Sequence, residues 1–222
     1  MELIYLDYNA TTPIDPRVAE EMLPYIHHHF GNPSSSHIFG KRTKKAVDKA
    51  RKQVADMLCC RENELIFTSG GSESNNYAIK GAVFANKGKG NHIITSSIEH
   101  PAVLEVCAFL ESKGYEVTYL PVDKWGMVDP EGVEEAITEQ TILISIMHAN
   151  NEVGTLQPIT EIAQIAKRNN VLIHSDCAQS VGKVPVNIRE LPVDLLSVAG
   201  HKIYAPKGVG ALYIKNGIQL EK

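Results

Sequence analysis

Cysteine is scarce in this 222-residue chain, with four in all, and tryptophan occurs once. No Cys-x-x-Cys pair or matched Cys/His spacing is present, and the adjacent Cys59 and Cys60 cannot be bridged without strain. A disulfide framework and a structural zinc site are therefore not expected, and the thiols should be reduced. Positive charge is not in excess either. Lysine and arginine number 22 against 26 acidic residues, a formal charge of −4, and the basic residues are scattered, so no nucleic-acid partner is expected. Long apolar runs are missing too. The longest are strand-sized, far short of the roughly 20 residues that span a bilayer, and no charged-then-apolar leader precedes Leu3. No membrane partner follows, and a cytoplasmic protein is expected. The run His27-His28-His29 invites a metal reading, but neighbours one and two apart on a helix point in different directions. It reads as a solvated helix end, and no metal site is expected.

What is present is an ordinary globular mixture, 43% hydrophobic and 22% charged. Asp15-Pro16 caps a first helix running to about His29, with Pro24 as a point where it could kink. A second, one-faced helix is predicted over Lys41 to Leu58, where Ala46, Ala50, Val54 and Met57 recur at helical spacing. From Leu65 the pattern alternates. Strands are predicted at Leu65-Thr68, His92-Ser96, Val117-Leu120, Ile142-Met147, Val171-His174, Leu195-Val198 and Val209-Ile214. Helices are predicted at Ser72 to Ala85, Pro101 to Lys113, Pro130 to Ile137 and Ile159 to Asn169. Strands alternating with helices specify an α/β fold, a central, mostly parallel sheet with helices on both faces. No repeat or linker marks a boundary, so residues 1–222 are expected to form a single domain with a helical segment over about 1–60.

Two strand ends carry distinctive chemistry. Asp176 closes Val171-Leu172-Ile173-His174-Ser175-Asp176, and Lys202 ends Ser197-Val198-Ala199-Gly200-His201-Lys202. Pyridoxal 5'-phosphate requires such a pair: a lysine amine to hold it as a Schiff base, and a carboxylate to keep the pyridine nitrogen protonated. Asp176 and Ala178, two apart near one strand end, should share a face, which would lay a methyl against the ring plane. Gly70-Gly71-Ser72 lies between a strand and a helix, where small residues let backbone N–H groups and the helix dipole receive a phosphate. His100, between a strand and a helix, belongs to the same carboxyl edge of the sheet, although a cap or surface residue would look the same.

Tyr5-Leu6-Asp7-Tyr8-Asn9-Ala10-Thr11-Thr12-Pro13, Phe67-Thr68-Ser69-Gly70-Gly71-Ser72-Glu73-Ser74-Asn75, His148-Ala149-Asn150-Asn151-Glu152-Val153-Gly154 and Gly200-His201-Lys202 resemble the signature segments of the cysteine desulfurases, in family order from Leu3 to about Ile214. The resemblance implies the three-layer large domain of fold-type I pyridoxal phosphate enzymes, with the family's small carboxyl-terminal domain absent. It implies catalytic roles for Lys202 and His100, the latter stacked on the ring, with Asp176 at the pyridine nitrogen and Gln179 at the phenolic oxygen. Gly71, Ser72 and His201 would hold the phosphate, and Ala178 and Asn151 would also contact the cofactor, with Asn150 a competitor for the asparagine role. The implied reaction converts L-cysteine to L-alanine, with sulfur taken up as an enzyme persulfide and passed to an acceptor protein, as in iron–sulfur cluster assembly, by a homodimer. Selenocysteine lyases and other class V aminotransferase-like enzymes share most of these segments, and a truncated, non-catalytic scaffold or partner subunit is a third reading. The chain departs from the pattern at Ala199, where the family usually has a hydroxyl residue on the phosphate, a loss that Ser197 or a water could make good. None of Cys59, Cys60, Cys107 and Cys177 suits the sulfur-accepting role, which is expected beyond Lys222, as is the arginine for the substrate carboxylate.

Overall fold

The computed structural model describes residues 3–221. Met1, Glu2 and Lys222, the ends of the expected 1–222 domain, lie outside them. After an extended amino-terminal arm, α1 (Pro16–His27) starts where the Asp15 carboxylate accepts the Arg17 N–H at 2.8 Å. It continues as one helix through Pro24. α2 (Ile38–Leu58) begins three residues before the expected Lys41, because the His37 ring accepts the Gly40 N–H and caps the extra turn. It ends at Cys59 in a left-handed conformation, φ 58°.

The remainder alternates as its patterning predicts: β1 (Leu65–Thr68), α3 (Gly71–Ala85), β2 (His92–Ser96), α4 (Pro101–Glu111), β3 (Glu116–Leu120), α5 (Pro130–Ala136), β4 (Thr141–Ser145), α6 (Ile159–Arg168), β5 (Leu172–Asp176), β6 (Leu195–Ala199) and β7 (Gly210–Ile214). All seven strands form one sheet in the order β1-β7-β6-β5-β4-β2-β3. The five from β6 to β3 are mutually parallel, and β7 runs antiparallel to both β6 and β1. Because β7 reverses between them, β1 points the same way as the parallel strands and delivers its carboxyl end to their edge.

Alternation along the strands separates two cores. Ile94, Ile144, Ile173 and Leu196 pack with α2, α5 and α6, while their neighbours Ile93, Leu143 and Leu195 pack with α3 and α4. Each such fully buried aliphatic side chain contributes about 1.5–3 kcal/mol. On the α3/α4 side the apolar lining turns polar toward the strands' carboxyl ends. Ser145, His174 and Ser197 are fully buried there, and the His174 ring lies 2.8 Å from the Ser145 hydroxyl and 3.0 Å from that of Ser197. That bridge ties β4, β5 and β6 together one rung below Asp176.

The amino-terminal arm returns to this same edge. Thr12 donates its N–H (2.9 Å) and hydroxyl (3.0 Å) to the His201 carbonyl, Tyr204 N–H donates to the Thr12 hydroxyl (2.9 Å), and Asp15 N–H to the Tyr204 carbonyl (3.0 Å). Among the described residues no helix is long and apolar enough to cross a membrane.

Candidate active site

A cleft of about 870 Å³ opens along the carboxyl edge, where the arm, the amino end of α3 and the ends of β4, β5 and β6 converge. Its floor is Asp176, 6% exposed, with one carboxylate oxygen accepting the Asn75 side-chain N–H at 2.7 Å and the other the Ala178 backbone N–H at 2.9 Å. Burial pushes this carboxyl up. The two hydrogen bonds and the charges of His100 and Lys202 oppose that and favour the ionised form.

Lys202 ends a single 3₁₀ turn, Gly200–Lys202, directly after β6. Its amine donates to the Asn9 carbonyl of the arm. Burial and the neighbouring Lys183 lower its pKa, partly opposed by Asp176, Asp7 and Glu152, so the free amine that a nucleophile needs is easier to reach. The adjacent His201 ring lies 3.1 Å from the Thr11 hydroxyl, and burial, Lys202, Lys207 and His100 lower its pKa.

At the other side, the chain leaves β1 through Gly70, φ 147°, a conformation that disfavours any side chain, and enters α3 at Gly71. A Cβ on Gly71 would stand 3.2 Å from the Ala199 methyl, so glycine keeps the helix end close to β6. Gly71, Ser72 and Ala199 line the cleft together, giving free backbone N–H groups a place to meet an anion. Ser197 cannot stand in for the missing hydroxyl at Ala199, because it is buried against His174.

His100 lines the cleft and caps α4 at once, its Nδ1 accepting the Ala102 N–H at 3.0 Å. The cap and site readings therefore fall on one ring. Gln179 lines the cleft with its NH₂ donating to the Asn9 carbonyl at 2.9 Å and its oxygen accepting from Lys183. Asn151 also lines the cleft. Asn150 turns away from it, buried, with its NH₂ on the Ile98 carbonyl and its oxygen on the Glu152 and Val153 N–H groups. One expectation needs correction in its reason. β5 ends at Asp176 and Ala178 stands in the following turn, so strand alternation does not put the two side chains on one face. Ala178 reaches the cleft because its N–H is held by the Asp176 carboxylate.

The structure adds residues that the sequence did not single out. Asn75 lies one helical turn after Gly71, a spacing that sends both to one face of α3. Asp7, Asn9 and Thr11 of the arm line the cleft, as does Lys207, so position alone does not choose between the two lysines. Lys202 is distinguished by its bond to Asn9 and its coupling to Asp176. The described residues contain no group of three or more His, Cys, Asp or Glu that could hold a metal ion.

A buried carboxylate, a lysine of lowered pKa and a glycine-opened helix end meet at the carboxyl edge of a mostly parallel sheet, the edge at which α/β folds bind their ligands. The aminotransferase class-V family model matches residues 4–221, and the chain belongs to that family. It is 57% identical over 218 residues to the cysteine desulfurase IscS of Methanosarcina thermophila, covering 98% of this chain and 54% of that protein. Among solved structures it matches SspA in complex with cysteine (TM-score 0.94, 45% identity, 96% of this chain and 62% of that one). It also matches a NifS-like protein (TM-score 0.96, 42% identity, 98% and 60%). The fold is thus the fold-type I arrangement. The chain spans about half the length of the curated relatives it matches.

Proposed function

We propose that this chain is the cofactor-bearing domain of a pyridoxal 5'-phosphate-dependent cysteine desulfurase. The observation that carries the reading is the convergence of Lys202, Asp176 and the Gly71–Ser72 helix end on one cleft, in a chain similar over nearly its whole length to cysteine desulfurases. The residues fit the cofactor. Lys202 supplies the amine that holds it, and Asp176, kept in place by Asn75 and Ala178, supplies the anion for its ring nitrogen. Gly71, Ser72 and His201 form the phosphate cradle, Gln179 offers its NH₂ to the phenolic oxygen, and Asn151, Ala178 and His100 line the remaining walls. When bound, pyridoxal phosphate supplies an electron sink beside the substrate amine. Lys202 exchanges protons through its amine. His100 does so through Nε2, the nitrogen that the Ala102 cap leaves free.

The substrate in this reading is L-cysteine, the ligand named for the SspA structure. Sulfur abstraction needs a thiolate, and none of the four cysteines lines the cleft. Burial pushes Cys107 and Cys177 up to about 12 and Cys60 to about 11. We place the sulfur-accepting thiol on a further segment of a longer, homodimeric, cytoplasmic protein that hands sulfur to an acceptor in iron–sulfur cluster assembly.

The test is reconstitution with pyridoxal phosphate, borohydride reduction and peptide mapping. The label is expected on Lys202. A label on Lys207, or on no lysine, overturns the assignment, and failure to bind the cofactor favours the scaffold reading.

A further inference from the structure

Between β2 and α4 the chain turns through Ser97, Ile98, Glu99 and His100. Three of these suit a surface turn, but Glu99 is 5% exposed. Its Oε1 accepts the Ser96 hydroxyl at 2.6 Å and the Met147 backbone N–H at 2.9 Å, while Oε2 is buried with no partner. A carboxyl in such surroundings is costly to bury, and a connection between a strand and a helix does not require one.

What the carboxyl achieves is a bridge. Ser96 is the last residue of β2, and Met147 follows the end of β4, its side chain lining the cleft. A second tie runs parallel to the first, from the Asn150 NH₂ to the Ile98 carbonyl at 3.1 Å. The turn is thus held from the β4 side at two successive residues, and the next residue is His100, whose ring is fixed at its other end by the Ala102 N–H. We propose that Glu99 is a positioning residue, clipping the β2–α4 turn to the end of β4 so that the His100 ring is presented to the cleft in a single orientation and tautomer. The proposal rests on the reading of His100 as a site residue.

The state of the carboxyl agrees with that role. Burial pushes it up to about 8, Asp176 adds to the rise, and the Ser96 and Met147 donors oppose it. The Cys107 thiol also feels its charge. At neutral pH Glu99 is mostly uncharged, so the clip adds no second anion beside Asp176.

The experiment uses the 222-residue chain without cofactor, labelled with ¹⁵N-histidine and assigned with a His100→Gln variant. Imidazole nitrogen shifts should show His100 with Nδ1 unprotonated and Nε2 protonated. Glu99→Ala should move both nitrogens toward the averaged values of a freely exchanging ring. Glu99→Gln, which keeps an acceptor for Ser96 and Met147, should retain the wild-type pattern. Unchanged His100 shifts in Glu99→Ala overturn the proposal, as does a Glu99→Gln spectrum altered as much as that of Glu99→Ala. If Glu99→Ala does not fold, Glu99→Asp, one methylene too short to reach both partners, must show the same averaging, and its failure to do so is equally fatal. The visible circular dichroism of added pyridoxal phosphate separates the two readings. A His100 ring released in Glu99→Ala with unchanged dichroism supports the clip and counts against His100 as a cofactor contact.

Discussion

His174 has no access to water, and burial pushes its pKa from 6.5 down to about 3, so the folded chain holds it neutral between two serine hydroxyls. Between those values the unfolded chain takes up a proton that the native state refuses. Stability conferred by this group therefore rises with pH through that window and is lost on acidification. His174→Leu should flatten the pH dependence of denaturant midpoints between about 4 and 6.5. At neutral pH it should cost roughly 2–6 kcal/mol by leaving the Ser145 and Ser197 hydroxyls unpaired, about 1–3 kcal/mol each. Ala199 allows a gain instead. Ala199→Ser would place a hydroxyl beside the open end of α3 and should tighten pyridoxal phosphate binding by about 1 kcal/mol, several-fold in Kd. Titration of apo-protein checks this, and equal or weaker affinity would show that position 199 does not face the phosphate. At this scale Lys202 and Asp176 were legible, because one reaction type demands that pair. Asn75 and Glu99 were not. Each sits among polar neighbours, Ser72-Glu73-Ser74 at the start of a predicted helix and Ser96-Ser97 at the end of a predicted strand, and periodicity cannot show that a polar side chain is folded inward.

Elements were easier to read than their directions. Among the described residues the 3.6- and 2-residue periods located the six α-helices and seven strands to within a few residues, and the caps Asp15, His100 and Asp129 start their helices where they stand in the sequence. The reversal of β7 was not legible, since a short apolar strand looks the same in either direction. That reversal nevertheless shapes the proposed cradle. A Cβ at Gly210, the first residue of β7, would lie 2.6 Å from the Val198 carbonyl oxygen and 2.7 Å from the Gly70 Cα. These are backbone atoms with no rotamer to yield. Gly210→Ala should therefore cost about 3 kcal/mol in stability, at the upper end for overpacking. It should also push Gly70 away from β6 and weaken phosphate binding. A thermal melt and a cofactor titration on the same preparation test both halves, and an unchanged Kd would show that the cradle does not depend on this contact.

At the scale of the whole molecule, the cleft has a floor and walls, and none of the four cysteines lines it. The 222-residue chain should bind L-cysteine through the reconstituted cofactor yet release no alanine above the level given by free pyridoxal phosphate. Positioning alone can supply about 7–11 kcal/mol of a barrier, so added dithiothreitol, which lacks it, should not restore turnover appreciably. Amino-acid analysis decides the matter. Alanine production abolished by Lys202→Ala would mean that a cysteine of this chain accepts sulfur. The arm also exposes Leu3, Ile4 and Leu6, 96%, 82% and 83% accessible.

The return of the arm to Thr12–His201 and Asp15–Tyr204 also sets an order of events at the ribosome. The arm waits for its partners, which are translated nearly two hundred residues later, at some 5–20 residues per second. For roughly ten seconds or more the arm lacks these long-range partners. β1 waits as well, because among the described residues it pairs only with β7. A cleft built from segments so far apart in sequence is completed only once both have been translated, and a nascent polypeptide halted before residue 204 should be unable to capture the cofactor.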